Sequence, residues 1–225
     1  MPARKTAKTN KVAPQKASSK KAPAPAPKTK TAVPILQLKV TLKHFKPLIW
    51  RRVQVRSDTN LGELHGIFQL AMGWGNCHLH HFIVGKRPNF LFIGAQEPDA
   101  GNDLEEDEVM VSEVLPAAKS KMVYEYDFGD SWEHEVIVEK IVPAEEGVYY
   151  PRCLAGENAC PPEDVGGVWG YADFLKAIED PDHEEHESYL DWVGEGFDPK
   201  EFDLELVNKR LTGLKSYLSF RLDRL

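Results

Sequence analysis

The stretch "YEYDFGDSWEHEV", Tyr124 to Val136, sets Asp127, Asp130 and His134 around one Gly-Asp turn, and no other part of the chain is denser in reactive side chains. Further along, "PPEDVGG" adds Glu163 and Asp164. Carboxylates and an imidazole gathered in one loop-lined cleft can hold a divalent cation and activate water, the chemistry of a metal-dependent hydrolase. The requirement is positional: the "PPED" loop must fold back over the hairpin. His134 admits a second reading. Beside Tyr126 on an apolar strand face it is a hydrogen-bonded core histidine, although burial of this kind also shifts a general base.

Other side chains could serve as ligands. His78 and His80 of "HLHH" fall on one strand face, a spacing that can hold a metal. Cys153 and Cys160 of "CLAGENAC" are separated more widely than the cysteines of common zinc knuckles, so a four-ligand site would draw on Cys77 or His78 as well. His78, His80, Cys153 and Cys160 are the metal candidates. Against them stand a polar strand entry and thiols that merely pack. "HEEHE" (His183 to Glu187) is not the zinc-protease "HExxH", and its acids suit the first turn of a helix. "DFG" lacks the kinase partners "HRD" and "VAIK". No cofactor beyond a divalent metal is implied.

The elements that must position these groups follow from periodicity. From Ile35, "ILQLKVTLKHF" alternates as a strand, and "PLIWRRVQV" reads as its hairpin partner. "SDTNLGELHGIFQLAMGW" switches to helical spacing, with Asn60 and Glu63 as a capping box and Gly73 as the stop. "HHFIVG", "FLFIG", "KMVYEYDF" and "WEHEVIVEKIV" are strands, and "VMVSEVLPA" is a strand running into a short helix. Pro143 to Val168 is irregular, and the remainder is helical. Segregated strands and helices predict an α+β fold: a mostly antiparallel sheet with one early helix and a helical C-terminal third. Face consistency predicts a three-residue hairpin loop, Gly129 to Ser131, pairing Phe128 with Trp132, Tyr126 with His134, Tyr124 with Val136 and Met122 with Val138. That apolar side should meet the helix carrying Leu64 and Phe68. The other side would set Asp127 against Glu133 and Glu125 against Glu135, a face that needs water, basic neighbours or a cation.

The net charge of −7 hides a division. Residues 1 to 30 carry nine basic groups (Arg4, Lys5, Lys8, Lys11, Lys16, Lys20, Lys21, Lys28 and Lys30) and no acid, leaving 19 basic groups against 35 acidic ones, a net of −16. Residues 1–34 read as a disordered Lys/Pro/Ala arm and 35–225 as one α+β domain. The arm can neutralise phosphates of nucleic acid without reading sequence. A solubilising tail is the competing reading. Nothing has the pattern of a secretory signal, a transit peptide or a membrane span, and three cysteines without export signals point to a reducing cytoplasm.

The stretch "YPRCLAGENACPPEDVGGVWGYADFLKAIEDPDHEEHESYLDWVGEGFDPKEFDLELVN", taken with "LKVTLKHFKPLIWRRVQV", "LHGIFQLAMGWGNCHLHHF" and "YEYDFGDSWEHEV", closely resembles the bacterial plasmid pRiA-type open-reading-frame-three family. Some members of that family carry an insertion-element passenger or TnpR-like label. The resemblance spans about Ile35 to Leu211. It implies a compact α+β domain of unestablished biochemical function, associated with plasmids and mobile elements. The chain lacks the serine-recombinase "Y-x-R-V-S-T" start, so a resolvase activity does not carry over. Some relatives have cysteine where this chain has Val165, which weakens a zinc site built on the cysteines. Two functions remain in view: a binding or adaptor module with a nucleic-acid-contacting arm, and the metal-dependent hydrolase.

Overall fold

The computed structural model describes residues 33–94, 104–194 and 196–222, together with Met1 and Ala3. Its centre is one antiparallel sheet of seven strands in the order β4-β3-β5-β6-β1-β2-β7. The strands are β1 (Ile35–Leu42), β2 (Trp50–Arg56), β3 (His80–Lys86), β4 (Asn89–Gly94), β5 (Lys121–Tyr126), β6 (Trp132–Val142) and β7 (Arg152–Glu157). The helices are α1 (Leu61–Met72), α2 (Val111–Val114), α3 (Gly167–Glu179), α4 (His186–Val193), α5 (Leu204–Thr212) and α6 (Leu214–Leu222). This is an α+β fold, with the early helix and the helical C-terminal third where periodicity placed them.

Alternation decides which side of the sheet is core. Along β6, Trp132, His134, Val136 and Val138 are buried, whereas Glu133, Glu135, Ile137 and Glu139 are half-buried. Tyr124, opposite His134 on β5, faces the same way and meets α1, where its ring lies edge-on to Phe68 with centroids 5.2 Å apart. Helix α1 starts at Asn60, whose side chain accepts from the Glu63 amide (2.7 Å), and stops at Gly73, which adopts a left-handed φ of 98°. It is buried on nearly every face because the sheet lies on one side and Leu214 and Leu218 of α6 press on Gly66 from the other.

The outer side of the hairpin is acidic, and each carboxylate has its own partner. Lys43 pairs with Glu133, Lys121 with Glu135 (2.9 Å), Arg52 with Glu139 (2.6 and 2.8 Å) and His81 with Glu125 (3.0 Å). Basic neighbours therefore relieve the repulsion, and no cation is needed there.

Two expectations are corrected. The β5–β6 hairpin pairs Tyr126 with Trp132, Tyr124 with His134 and Met122 with Val136, a slip of two residues from the three-residue loop. The loop runs over the five residues from Asp127 to Ser131. Asp127 leaves the strand at φ 58° and turns its Oδ1 onto the amides of Gly129 (2.9 Å) and Asp130 (3.4 Å), while its carbonyl accepts from the Ser131 amide (2.6 Å). A slip of two preserves facing, so the apolar face survives without Phe128. It also leaves Glu125 opposite Glu133, and Glu135 opposite Val123.

The second correction is β7, inside the segment that reads as irregular. "RCLAGE" lacks an alternating run of strand formers, so its structure is imposed by pairing with β2. Asn208 of α5 completes it. The Asn208 side chain accepts from the Cys153 amide (2.9 Å) and donates to the Cys153 carbonyl (3.0 Å), as a neighbouring strand would.

Trp132 is fully buried and its indole N–H has no hydrogen-bond partner among the described residues, so its contribution is packing. We expect Trp132→Ala to cost about 3–5 kcal/mol in chemical denaturation. Glu135→Ala, which removes only a half-exposed pair with Lys121, should cost about 1 kcal/mol or less. The reverse ranking would contradict this packing.

Candidate metal centre

Three connections meet at one end of the β5–β6 hairpin: the α1–β3 loop, the Asp127–Ser131 turn, and the loop from β7 into α3 that contains "PPED". What ties them is Glu163. Its Oε1 accepts from the Tyr126 hydroxyl at 2.5 Å, and its Oε2 accepts from the Gly75 amide at 3.1 Å. The same Tyr126 oxygen accepts from the Cys77 amide (3.0 Å), and the Trp74 indole donates to the Pro161 carbonyl (3.0 Å). Asp130 anchors the far end of the loop by accepting from the Gly166 amide (3.1 Å). Gly167 then passes so close that a Cβ there would lie 2.5 Å from the Asp130 carbonyl oxygen. The "PPED" loop does fold back over the hairpin.

The α1–β3 loop is also fixed from below, by a closed circuit of hydrogen bonds. The Asn76 amide donates to Gln69 Oε1 (3.0 Å), which turns the Gln69 Nε2 toward the Tyr124 hydroxyl (3.0 Å). Tyr124 then donates to His65 Nδ1 (2.8 Å), and His65 Nε2–H donates to Asn76 Oδ1 (2.7 Å). One backbone amide thus sets the direction of the whole ring. The His65 ring stacks on His80 at 3.4 Å, and His80 in turn bonds Glu106 at 2.7 Å.

His78 stands on this platform. Its Nε2 lies 3.2 Å from Asp164 Oδ1 and 3.6 Å from Asp127 Oδ2, one residue from each of the three connections. The three ligand atoms all lie within 4.8 Å of one another, and this is the one such group among the described residues. His78 Nε2 is itself buried and makes no hydrogen bond among the described residues. The Asp127 side chain is only 10% exposed, and its Oδ1 is already committed to the turn. Asp164 is 70% exposed and forms the solvent side. Metal–ligand bonds of about 2.0–2.2 Å place neighbouring ligand atoms about 3.3 Å apart, so two of the three edges already have the required length. Both Asp127 and Asp164 hold left-handed backbone conformations, at φ 58° and 62°.

The structure separates the other candidates. His134 is wholly buried against Trp74 and Tyr124, with its Nδ1 on the Trp132 carbonyl (2.9 Å), and burial pushes its pKa down to about 4. It is a core histidine outside the ligand group. Glu163 and Asp130 position loops. His80 is bound to Glu106, so the strand spacing that joined it to His78 does not hold: β3 begins at His80, and His78 lies in the preceding loop. Cys153 donates weakly to the Ala155 carbonyl (3.4 Å), and burial pushes both thiols up, Cys160 to about 12. Protonated thiols are poor ligands. Sequence reasoning missed Tyr126 as the clamp. Burial and then the Glu163 carboxylate raise its pKa, which keeps it a donor. The nine basic groups of the arm lie outside the described residues.

Residues 34–206 match the family model described as plasmid pRiA4b ORF-3-like protein. An uncharacterized protein, y4hQ of Sinorhizobium fredii, is 38% identical over 183 residues, which is 80% of this chain and 92% of the relative. A crystal structure of a protein of unknown function, MM3350 from Methanosarcina mazei Go1, superposes with a TM-score of 0.71 at 40% identity, covering 79% of this chain and 98% of that one. The chain belongs to the plasmid pRiA4b ORF-3-like family.

The depressed pKa of His134 carries a pH signature. Between about 6.5 and 4 the unfolded chain takes up a proton that the folded chain refuses, so His134 contributes fully above pH 6.5 and less as pH falls toward 4. The loss should approach about 3 kcal/mol, at about 1.4 kcal/mol per pH unit. Urea midpoints measured from pH 7 to 4 should fall, and His134→Leu should flatten that slope. An equal slope in the variant would place the acid sensitivity elsewhere.

Proposed function

Starting from membership in a family without an assigned reaction, we propose that this chain is a divalent-cation-dependent hydrolase whose cation is held by His78, Asp127 and Asp164. The observation that carries the reading is the buried His78 Nε2, which makes no hydrogen bond among the described residues and sits between two carboxylates from separate loops. Two carboxylates sharing one imidazole leave at least one negative charge unbalanced, which a cation would offset. Three protein ligands leave positions for water on the exposed Asp164 side. A cation held there would supply a Lewis acid able to make water nucleophilic near neutral pH. The protein's own residues supply the rigid seat, with Tyr126, Glu163 and Asp130 holding the loops and Asp127 fixed by turn amides. One imidazole and two carboxylates favour Zn2+ or Mn2+ over Ca2+.

With Mn2+ or Zn2+ at about 100 times its dissociation constant, bound cation should add about 2.7 kcal/mol of stability. That corresponds to a rise of about 5–10 °C in Tm. Asp164→Asn should abolish the rise and leave the metal-free Tm nearly unchanged, because Asp164 is exposed. An unchanged Tm in both ions, or equal responses in the two proteins, would contradict the site. Hydrolysis of p-nitrophenyl phosphate or acetate should require the cation and vanish in His78→Gln. Cation binding without turnover of either compound would contradict the hydrolase reading.

The nine basic groups of residues 1–30, set against a body of −16, support a second reading, an adaptor of plasmid or mobile-element context whose arm touches nucleic acid. Deleting residues 1–30 should abolish retention on DNA at low salt, and undiminished retention would move the binding surface onto the body. No helix among the described residues is long and apolar enough to cross a membrane. Three free cysteines accord with a reducing cytoplasm as the place of work.

A further inference from the structure

A second concavity lies apart from the candidate metal centre and shares none of its ligand residues. The β1–β2 connection, α3 and the α4–α5 connection surround a cavity of about 490 Å3, walled by Phe45, Ile49, Leu175, Ile178 and Phe197. That volume and apolar lining are typical of small-molecule sites. Two buried polar groups interrupt the wall. Tyr171 is 1% exposed, its ring set between Phe45 (4.9 Å) and Phe174 (6.0 Å), yet its hydroxyl bonds to no described residue. Burial raises its pKa, so the group remains an O–H donor. Asn158 is also buried. Its Nδ2 donates to the Leu48 carbonyl (2.8 Å), and its amide oxygen is left as an unused acceptor. Both residues line the cavity and neither atom is sealed in the interior, so the donor and the acceptor are open to a molecule that enters it. At the rim stand the carboxylates of Glu179 and Asp198, with Lys200 beside them.

We propose that this cavity binds a small aromatic amine, its ring against Phe45 and Phe197, its hydroxyl between Tyr171 and Asn158, and its ammonium at Glu179 and Asp198. The apolar wall selects the ring, the donor and acceptor select a hydroxyl, and the acidic rim selects the cation.

Tyramine is the probe. Calorimetric titration of the full chain should give saturable one-site binding. Tyr171→Phe should weaken it by about 3- to 10-fold, the scale of one hydrogen bond. Ile178→Trp, which fills the cavity, should abolish it, and 4-ethylphenol, which lacks the amine, should bind more weakly. The Tm of Tyr171→Phe should equal or exceed that of the parent, because the hydroxyl has no protein partner to lose. Cation-induced stabilisation should be unchanged in the same variant, which keeps this test separate from that of the metal centre. Absence of saturable binding, equal affinity for 4-ethylphenol, full binding by Ile178→Trp, or a lowered Tm in Tyr171→Phe would each overturn the proposal.

Discussion

The hydrogen bond from Tyr126 to Glu163 is the contact on which the candidate site depends. It joins the last residue of β5 to the "PPED" loop, and through the Gly75 and Cys77 amides it holds the α1–β3 loop as well. Three connections far apart in sequence thereby share one anchor. The anchor can be strong because the buried phenol donates to a charged, half-buried carboxylate. Burial and the neighbouring carboxylate keep the phenol protonated, and a charge-assisted O–H···O bond in such surroundings exceeds an ordinary neutral one. Without it, the loop that carries Asp164 would keep one direct bond to the hairpin, Asp130 to Gly166, and would otherwise be held through the α1–β3 loop by the Trp74–Pro161 and Gly75–Glu163 bonds.

The same region spends stability on geometry. Asn76, Asp127, Ser131, Asn158 and Asp164 all have positive φ, and they lie in or beside the three converging connections. Side chains of Asn and Asp tolerate this conformation better than most. Beneath them, the closed circuit of His65, Gln69, Asn76 and Tyr124 satisfies its polar groups internally and leaves each member one orientation. A fully satisfied polar layer of this kind is rigid, and it is the support that a precisely spaced ligand set requires.

Much of this was legible in the sequence. The α1 boundaries follow from Asn60, Glu63 and Gly73, and six of the seven strands announce themselves by alternation or by apolar runs. The "PPED" loop and the hairpin could be linked as a hypothesis because both concentrate acids. Register was not legible, because a slip of two leaves the apolar face of β5 and β6 unchanged and only the Asp127 turn decides between the alternatives. Strand β7 was missed because its structure comes from β2 and Asn208 rather than from its own residues. The partner of His78 was misassigned for a related reason. A spacing of two residues implies a shared face only inside a strand, and His78 lies outside one.

Acidity alone does not single out the candidate centre, since the outer face of the sheet is equally acidic. What differs is pairing. Glu125, Glu133, Glu135 and Glu139 each have a basic partner of their own, whereas Asp127, whose Oδ1 also accepts from turn amides, and Asp164 share the single His78 imidazole. The central claim is therefore that a cation completes the set of one nitrogen and two carboxylates. Pulsed electron paramagnetic resonance of the Mn2+-loaded protein tests it directly. The account predicts coupling to a single imidazole nitrogen that disappears in His78→Gln. A spectrum without nitrogen coupling, or one unchanged by that substitution, would contradict it.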